Sequence, residues 1–205
     1  MRKLVVNTFL TLDGVMQAPG GPEEDRSSGF AYGGWSVTYW DERMGEVAGR
    51  IMGKAFDLVL GRKTYEIFAA HWPHAPEEEG AKAFNDAVKH VATRTLSSLD
   101  WENSVRIEGD VVEAVRELKL QDGPELQIHG SANLLQTLLG AGVIDEHHIW
   151  TFPVVVGTGK RLFEQGATPA AYKLVDTVTS STGVVISTYV PDGEVVTGSF
   201  ALDAG

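Results

Sequence analysis

An α/β fold with a central mixed, mainly parallel sheet closed by antiparallel strands is what this sequence predicts. Three observations carry that prediction. Apolar strand-like runs alternate with helix-like patterns from Leu4 to Phe152, as expected for parallel strands joined by crossover helices. Two of those strands end in a glycine at the start of a helix, at Gly61 and Gly130. The final two strands, 172–180 and 184–190, follow one another across Ser181-Thr182-Gly183 with no helix between them, which reads as a closing hairpin.

The first run, LVVNTFLTLDG, is a buried strand ending at Asp13-Gly14. Residues 15–36 are rich in glycine and proline with little apolar periodicity. They predict a long mobile loop, a lid or binding loop unless it is a disordered insertion. Asp41 is placed to cap a helix whose Met44, Val47, Ala48 and Ile51 share one face. A short strand, DLVLG, leads to Gly61, and the helix after it carries Tyr65, Phe68, Ala69 and Trp72 on one face. Arg62, Lys63 and Thr64 cluster at its start, where the helix dipole disfavours cations. They are either solvated surface charges or the holders of an anion.

A Pro/Glu-rich loop and a short helix over 81–87 lead to a strand, KHVATRT, with Thr93, Arg94 and Thr95 at its end. Ligands bind at strand ends in such sheets, so this hydroxyl and guanidinium cluster is a candidate phosphate holder, with a plain turn as the alternative. A strand over 104–107 follows, and Asp110 caps a helix with Val111, Val112, Val115 and Leu118 facing inward. Past the turn at Asp122-Gly123-Pro124 come the strand to Gly130, the helix ANLLQTLL, and the strand HHIWTF. A glycine loop after Pro153 is closed by Lys160 and Arg161, which meet a substrate phosphate or a neighbouring subunit. The tail from Gly193 adds a strand or frays.

Composition narrows the function. At 205 residues and 43% hydrophobic the chain can build one sizeable core, and a single domain over 1–205 is expected. A net charge of -11 repels nucleic acid and anionic membranes, so neither is expected as a partner. The absence of cysteine excludes disulfides, thiolate metal sites and cysteine nucleophiles, and fits a cytoplasmic location. The first apolar run is interrupted by Asn7, Thr8 and Thr11 and is too short for a signal peptide core, and no later run approaches spanning length. VVVGTGKR fails as a phosphate-binding P-loop because Val154 stands at the first glycine and Arg161 follows the lysine. No dinucleotide GxGxxG, zinc HExxH or nucleophile GxSxG motif is present, and no metal is expected.

Three segments in this order, LGRKTYE at 60–66, HGSANLLQTLL at 129–139 and VIDEHHIWTFPVVVGTGKRLF at 143–163, resemble the dihydrofolate reductase superfamily. The sequence is most similar to its branch containing the C-terminal reductase domain of the riboflavin-biosynthesis deaminase-reductase. The resemblance covers nearly the whole chain and implies a three-layer α/β/α fold that binds NADPH. It places Gly61, Arg62, Lys63 and Thr64 at the cofactor's phosphates, and Thr93 and Arg94 at the adenosine 2'-phosphate. Gly130, Ser131, Ala132 and Leu134 would follow the pyrophosphate and nicotinamide side, with Gly14 and Val15 opening the loop over the nicotinamide. His129 departs from the glycine pair found at this junction in dihydrofolate reductases. Family members are often dimers, so a homodimer is expected.

The resemblance implies an NADPH-dependent reductase transferring a hydride to a small heterocyclic or carbonyl substrate, pterin-like or ribosylaminopyrimidine-like. The competing expectation is a non-catalytic NADP-binding dimeric scaffold. Reducing C=N or C=O also requires a proton. Asp41 stands near the position of the family's acidic residue, and Asp13 at the end of the first strand competes with it. Phe30, Trp35 and Trp40 are candidates to stack on a flat substrate.

Overall fold

The computed structural model describes residues 1–77 and 80–200. The chain runs β1 (Leu4–Thr11), α1 (Glu42–Met52), β2 (Phe56–Gly61), α2 (Arg62–His71), α3 (Ala81–Asp86), β3 (Lys89–Ala92) and β4 (Ser104–Arg106). It continues through α4 (Val111–Leu120), β5 (Glu125–Ile128), α5 (Ala132–Gly140), β6 (Glu146–Phe152), β7 (Tyr172–Thr179) and β8 (Val185–Pro191). The strands form a sheet in the order β4-β3-β2-β5-β1-β6-β8-β7. Pairing is parallel from β4 across to β6 and antiparallel from β6 through β8 to β7. This is the mixed sheet with antiparallel closing strands that the pattern predicted.

Alternation along the strands builds the three layers. Leu4 and Val6 of β1, Val59 of β2 and Leu126 and Ile128 of β5 pack with Val115 of α4 and Leu134, Leu135 and Leu138 of α5. On the opposite face, Leu58 and Leu60 of β2 pack with Tyr65 of α2 and Phe84 of α3. Trp150 and Phe152 of β6 meet Met44 and Val47 of α1 on that same side.

Two local expectations change, and the strand alternative for the tail is not taken up. β3 stops at Ala92, because the Thr93 hydroxyl accepts the backbone N–H groups of Thr95 and Leu96 and turns the chain out of the sheet. Residues 15–36 are not a loose loop: Val15, Ala18, Phe30 and Trp35 are buried in the α1 cluster. The Trp35 indole also donates to the Gln17 carbonyl at 2.8 Å. The tail forms no strand as far as Phe200, and residues 201–205 lie outside the described residues.

Lys89 is fully buried between α3 and the loop before β4. Its ammonium donates to the carbonyls of Asn85 and Glu102 and lies 4.2 Å from the centre of the Trp101 ring. Burial pushes its pKa down to about 8. Between about pH 8 and the unfolded value of 10.5 the unfolded chain therefore binds more protons at this site. This contribution makes stability rise with pH through that window and stay level below it. Urea denaturation from pH 7 to 10.5 should show that rise in the wild type relative to Lys89→Met, and parallel pH profiles for the two proteins would refute it.

Candidate functional site

The parallel strands all end on one edge of the sheet, which is where ligands bind in open α/β sheets. In spatial order that edge carries Thr93 and Arg94 after β3, Gly61 ending β2, Gly130 and Ser131 after β5, and Gly14 just beyond β1. Three inter-strand steps separate the first from the last, roughly 14 Å at the usual strand spacing. Residues scattered over 118 positions, from 14 to 131, thus form one row.

At the centre of the row the two strand-glycine-helix junctions touch. The Ser131 hydroxyl accepts the Gly61 N–H at 3.0 Å and donates to Thr64 Oγ1 at 2.6 Å. A methyl group on Gly61 would lie 2.7 Å from Ser131 Oγ and 2.9 Å from its Cβ, so only glycine fits without displacement. Gly130 and Ser131 turn into α5 with φ of 106° and 69°. A non-glycine residue at such a φ is uncommon and is found at ligand clamps more often than elsewhere.

Helix capping separates these junctions from the starts of α1 and α4, though the short α3 also lacks a side-chain cap. α1 is capped by Asp41 and α4 by Asp110, whereas neither α2 nor α5 receives a side-chain cap. The starts of α2 and α5 therefore present backbone N–H groups and dipole ends with no carboxylate in place. Arg62 is tied to Glu66 at 3.7 Å, while Lys63 and Arg94 form no ion pair among the described residues. Thr93 turns its hydroxyl oxygen to the turn already described, so of that cluster Arg94 and Thr95 are the exposed donors. Arg106 escaped sequence reasoning. It donates to the Thr93 and Leu96 carbonyls and holds the turn that presents Arg94.

Ala132 begins α5 beside Ser131, but Leu134 is a core residue, 7% exposed, beneath Gly61. Val15 is fully buried and meets Gly159 rather than the cleft, so only its backbone lies on the row. Gly14 takes φ 79° and faces Arg161. Met16 was also not anticipated. Its methyl lies 4.0 Å from where a Cβ on Gly130 would stand, which brings the 15–36 segment against the α5 junction.

Lys160 and Arg161 are each tied to a carboxylate of the 13–25 segment. Lys160 pairs with Asp25, and Arg161 lies 3.5 Å from Asp13. The Asp13 carboxylate also accepts from the Thr11 hydroxyl at 2.6 Å and from the Gly157 and Val156 N–H groups. Burial alone would raise its pKa, but these hydrogen bonds prevail and hold it below the usual carboxylate range. Asp41 accepts from Met44 N–H and from the Ser181 N–H and hydroxyl, which together lower its pKa, the Met44 bond most. Both aspartates are thus ionised structural clasps, and neither is set to donate a proton near neutrality.

Two of the three candidate stacking residues are also corrected. Phe30 and Trp35 are 6% and 8% exposed and belong to the core, Trp35 edge-on to Phe152. Trp40 is half exposed and stacked on Trp150 with ring centres 6.0 Å apart and planes 6° apart. It alone of the three presents an open ring.

The sequence profile described as the RibD C-terminal domain matches residues 2–186. The chain belongs to the RibD C-terminal domain family. Its relatives include the uncharacterized protein YyaP of Bacillus subtilis (strain 168), 27% identical over 192 residues, spanning 92% of this chain and 94% of YyaP. YwjB of the same organism is 30% identical over 108 residues, 53% of this chain and 58% of its own. Among solved structures, a putative riboflavin biosynthesis protein from Shewanella sp. PV-4 superposes with a TM-score of 0.69 at 18% identity, covering 94% of this chain and 99% of that one. Dihydrofolate reductase from Enterococcus faecalis, in complex with NADP(H) and RAB-propyl, gives 0.58 at 15% identity, covering 93% and 96%. These likenesses establish a dihydrofolate reductase-like fold.

Within this RibD C-terminal domain, His129 turns its ring among Phe56, Phe68 and Phe84, with centres 5.3 to 6.3 Å away. Burial, assisted by nearby His148, pushes its pKa down to about 4, so it is neutral at pH 7. Gln127 donates to Glu125 and turns its carbonyl to His129 Nε2, which makes that nitrogen the donor. His147 and His148 point to opposite faces of β6, the first against Tyr172 and the second between Glu146 and Asn7.

Proposed function

We propose that this protein is a cytoplasmic NADPH-dependent reductase of a small, flat heterocyclic or carbonyl substrate. The observation that carries it is the contact between two uncapped strand-glycine-helix junctions, joined by the Ser131 hydroxyl and too close at Gly61 for any side chain. Family membership supports the same reading.

Reduced nicotinamide, when bound, supplies a hydride. The chain's own work is positioning. Backbone N–H groups at the starts of α2 and α5 would hold phosphate oxygens, and Gly61 and Gly130 would let those oxygens approach. Lys63 and Arg94, without carboxylate partners, balance the negative charge that the chain's net -11 would otherwise repel. Arg94, on the turn that Arg106 braces, would hold the 2'-phosphate through charge-assisted hydrogen bonds. Trp40 offers its free face to a flat substrate. With Asp13 and Asp41 held ionised, the proton for the reduced substrate would come from water.

Fluorescence titration tests the cofactor assignment. NADPH should bind more tightly than NADH, and Arg94→Ala should weaken NADPH at least about tenfold while leaving NADH unchanged, since hydrogen bonds to charged groups contribute about 1.5–3 kcal/mol. Equal affinities in the wild type, or a preference that survives the substitution, would remove Arg94 from the site.

A second reading, a NADP-binding scaffold without turnover, is favoured by the structural employment of both candidate acids. NADPH oxidation assayed against pterins, pyrimidines and quinones separates the two: turnover excludes the scaffold, and binding without turnover supports it.

A further inference from the structure

Three neighbouring strands break the usual pattern of a buried parallel sheet on one face only. Parallel strands covered on both sides normally read as continuous apolar runs. Toward α4 and α5 they do, with Leu4 and Val6 of β1, Leu126 and Ile128 of β5 and Ile149 of β6 in one cluster. On the other face, Glu125 and Gln127 of β5, Asn7 of β1 and Glu146 and His148 of β6 stand side by side. α1 packs over Trp150 and Phe152, and α2 over Leu58 and Leu60, so this polar strip lies between the two helices.

At its centre Asn7 pairs in register with His148. Asn7 Oδ1 lies 2.8 Å from His148 Nδ1, His148 Nε2 lies 2.8 Å from Glu146 Oε1, and Lys3 donates to Glu146 Oε2 at 2.8 Å. Burial alone would raise the Glu146 pKa, but the Lys3 and His148 hydrogen bonds prevail and keep this carboxylate ionised at neutrality. Glu146 and Asn7 Oδ1 therefore both accept, and His148 donates at both nitrogens. That fixes the amide with Nδ2 turned away from His148. Asn7 is 7% exposed, and its Nδ2 is buried with no hydrogen-bond partner, whereas Gln127 spends both ends of its amide on Glu125 and His129. A buried donor left unpaired costs stability and calls for a partner from outside the fold.

We propose that Asn7 Nδ2 determines substrate specificity by donating to a carbonyl oxygen at the edge of the flat ring that Trp40 stacks, with His148 and Glu146 holding the amide in that orientation. Trp40 stands over Phe9 and Trp150, with ring centres 6.4 and 6.0 Å away. Those two residues are a register pair one alternation beyond Asn7 and His148. Two residues of strand span about 7 Å, so one flat ligand meets both the indole and the amide. Phe9 and His148 are only partly buried, and a ligand reaches Nδ2 by parting their side chains. A ring with an amino group at that edge sets donor against donor. The role rests on the reductase reading for its substrate and uses no contact with nucleotide.

Calorimetric titration of the full chain with pterin and with 2,4-diaminopteridine, which differ in a carbonyl or an amino group at one ring edge, tests this. The wild type should bind pterin at least about fivefold more tightly, because the amino compound leaves the buried donor unpaired. Asn7→Leu should bind the two equally, and Asn7→Asp, an acceptor only, should reverse their order. Far-ultraviolet circular dichroism and NADPH titration on the same proteins report the fold and the nucleotide site. Equal or reversed affinities in the wild type, a pterin preference that survives in folded Asn7→Leu, or binding of neither pteridine overturns the proposal. Where Asn7→Leu does not fold, an order that Asn7→Asp leaves unreversed overturns it. A wild type that binds no NADPH yet shows a pterin preference that Asn7→Leu removes keeps Asn7 in its role and overturns the reductase reading instead.

Discussion

Asp57→Ala is expected to lower the unfolding free energy by about 3–5 kcal/mol, a large share of the total for a domain of ordinary stability. The Arg2 guanidinium pairs with Asp57, and both side chains are nearly buried, at 5% and 12% exposed. Arg2 also donates to the Pro124 carbonyl, and Asp57 Oδ1 accepts the Val88 N–H at 3.1 Å. One ion pair thereby ties the starts of β1, β2, β3 and β5 together at the edge opposite the candidate site. Removing the carboxylate strands a guanidinium that water cannot readily reach, which is why breaking a buried pair is far more damaging than losing a surface one. Replacing both members by apolar residues should be milder than removing Asp57 alone. Urea denaturation of the single and double variants checks this, and a single-variant loss below about 1 kcal/mol would show that the pair is solvated in solution.

Gly61→Ala should reduce NADPH affinity more than tenfold and destabilise the chain by about 1–3 kcal/mol, the usual range for overpacking. Its φ of -78° is open to any residue, so the effect is steric. The added methyl meets Ser131 Oγ and Cβ below 3.0 Å, and Ser131 can yield only by moving the start of α5. Adding Ser131→Gly removes both atoms, and Leu134 Cβ at 3.5 Å then makes an ordinary contact. The double variant should therefore recover most of the lost stability and part of the binding. Thermal unfolding and NADPH titration on the three proteins measure the coupling. Wild-type affinity in Gly61→Ala would mean that phosphates do not approach this junction, and the site would have to lie elsewhere.

The order of strands and helices was legible because it rests on short-range periodicity. Tyr65, Phe68 and Trp72 recur at helical spacing, β6 alternates its faces, and Asp41 and Asp110 stand where caps are needed. The glycines at 61 and 130 likewise marked the two junctions through local backbone demands. KHVATRT misled because seven residues of β-compatible sequence do not reveal that a threonine hydroxyl can take two N–H groups and end the strand early. Phe30 and Trp35 looked available because a glycine-rich segment carries no periodicity to show which aromatics turn inward.

What tertiary structure alone decided is how distant side chains spend their hydrogen bonds. Ser131 finds Gly61 seventy residues back because β5 is laid beside β2. Asp13 finds Gly157, and Asp41 finds Ser181, because β6 and the closing hairpin return beside β1 and α1. The last two partners each converted an aspartate that sequence offered as an acid into a clasp. The sequence by itself determined the elements and the glycine junctions, since both depend on neighbours within a few residues. Strand adjacency determined the row from Arg94 to Gly14 and the state of its aspartates, since packing sets burial and charge environment across distances that no local pattern spans.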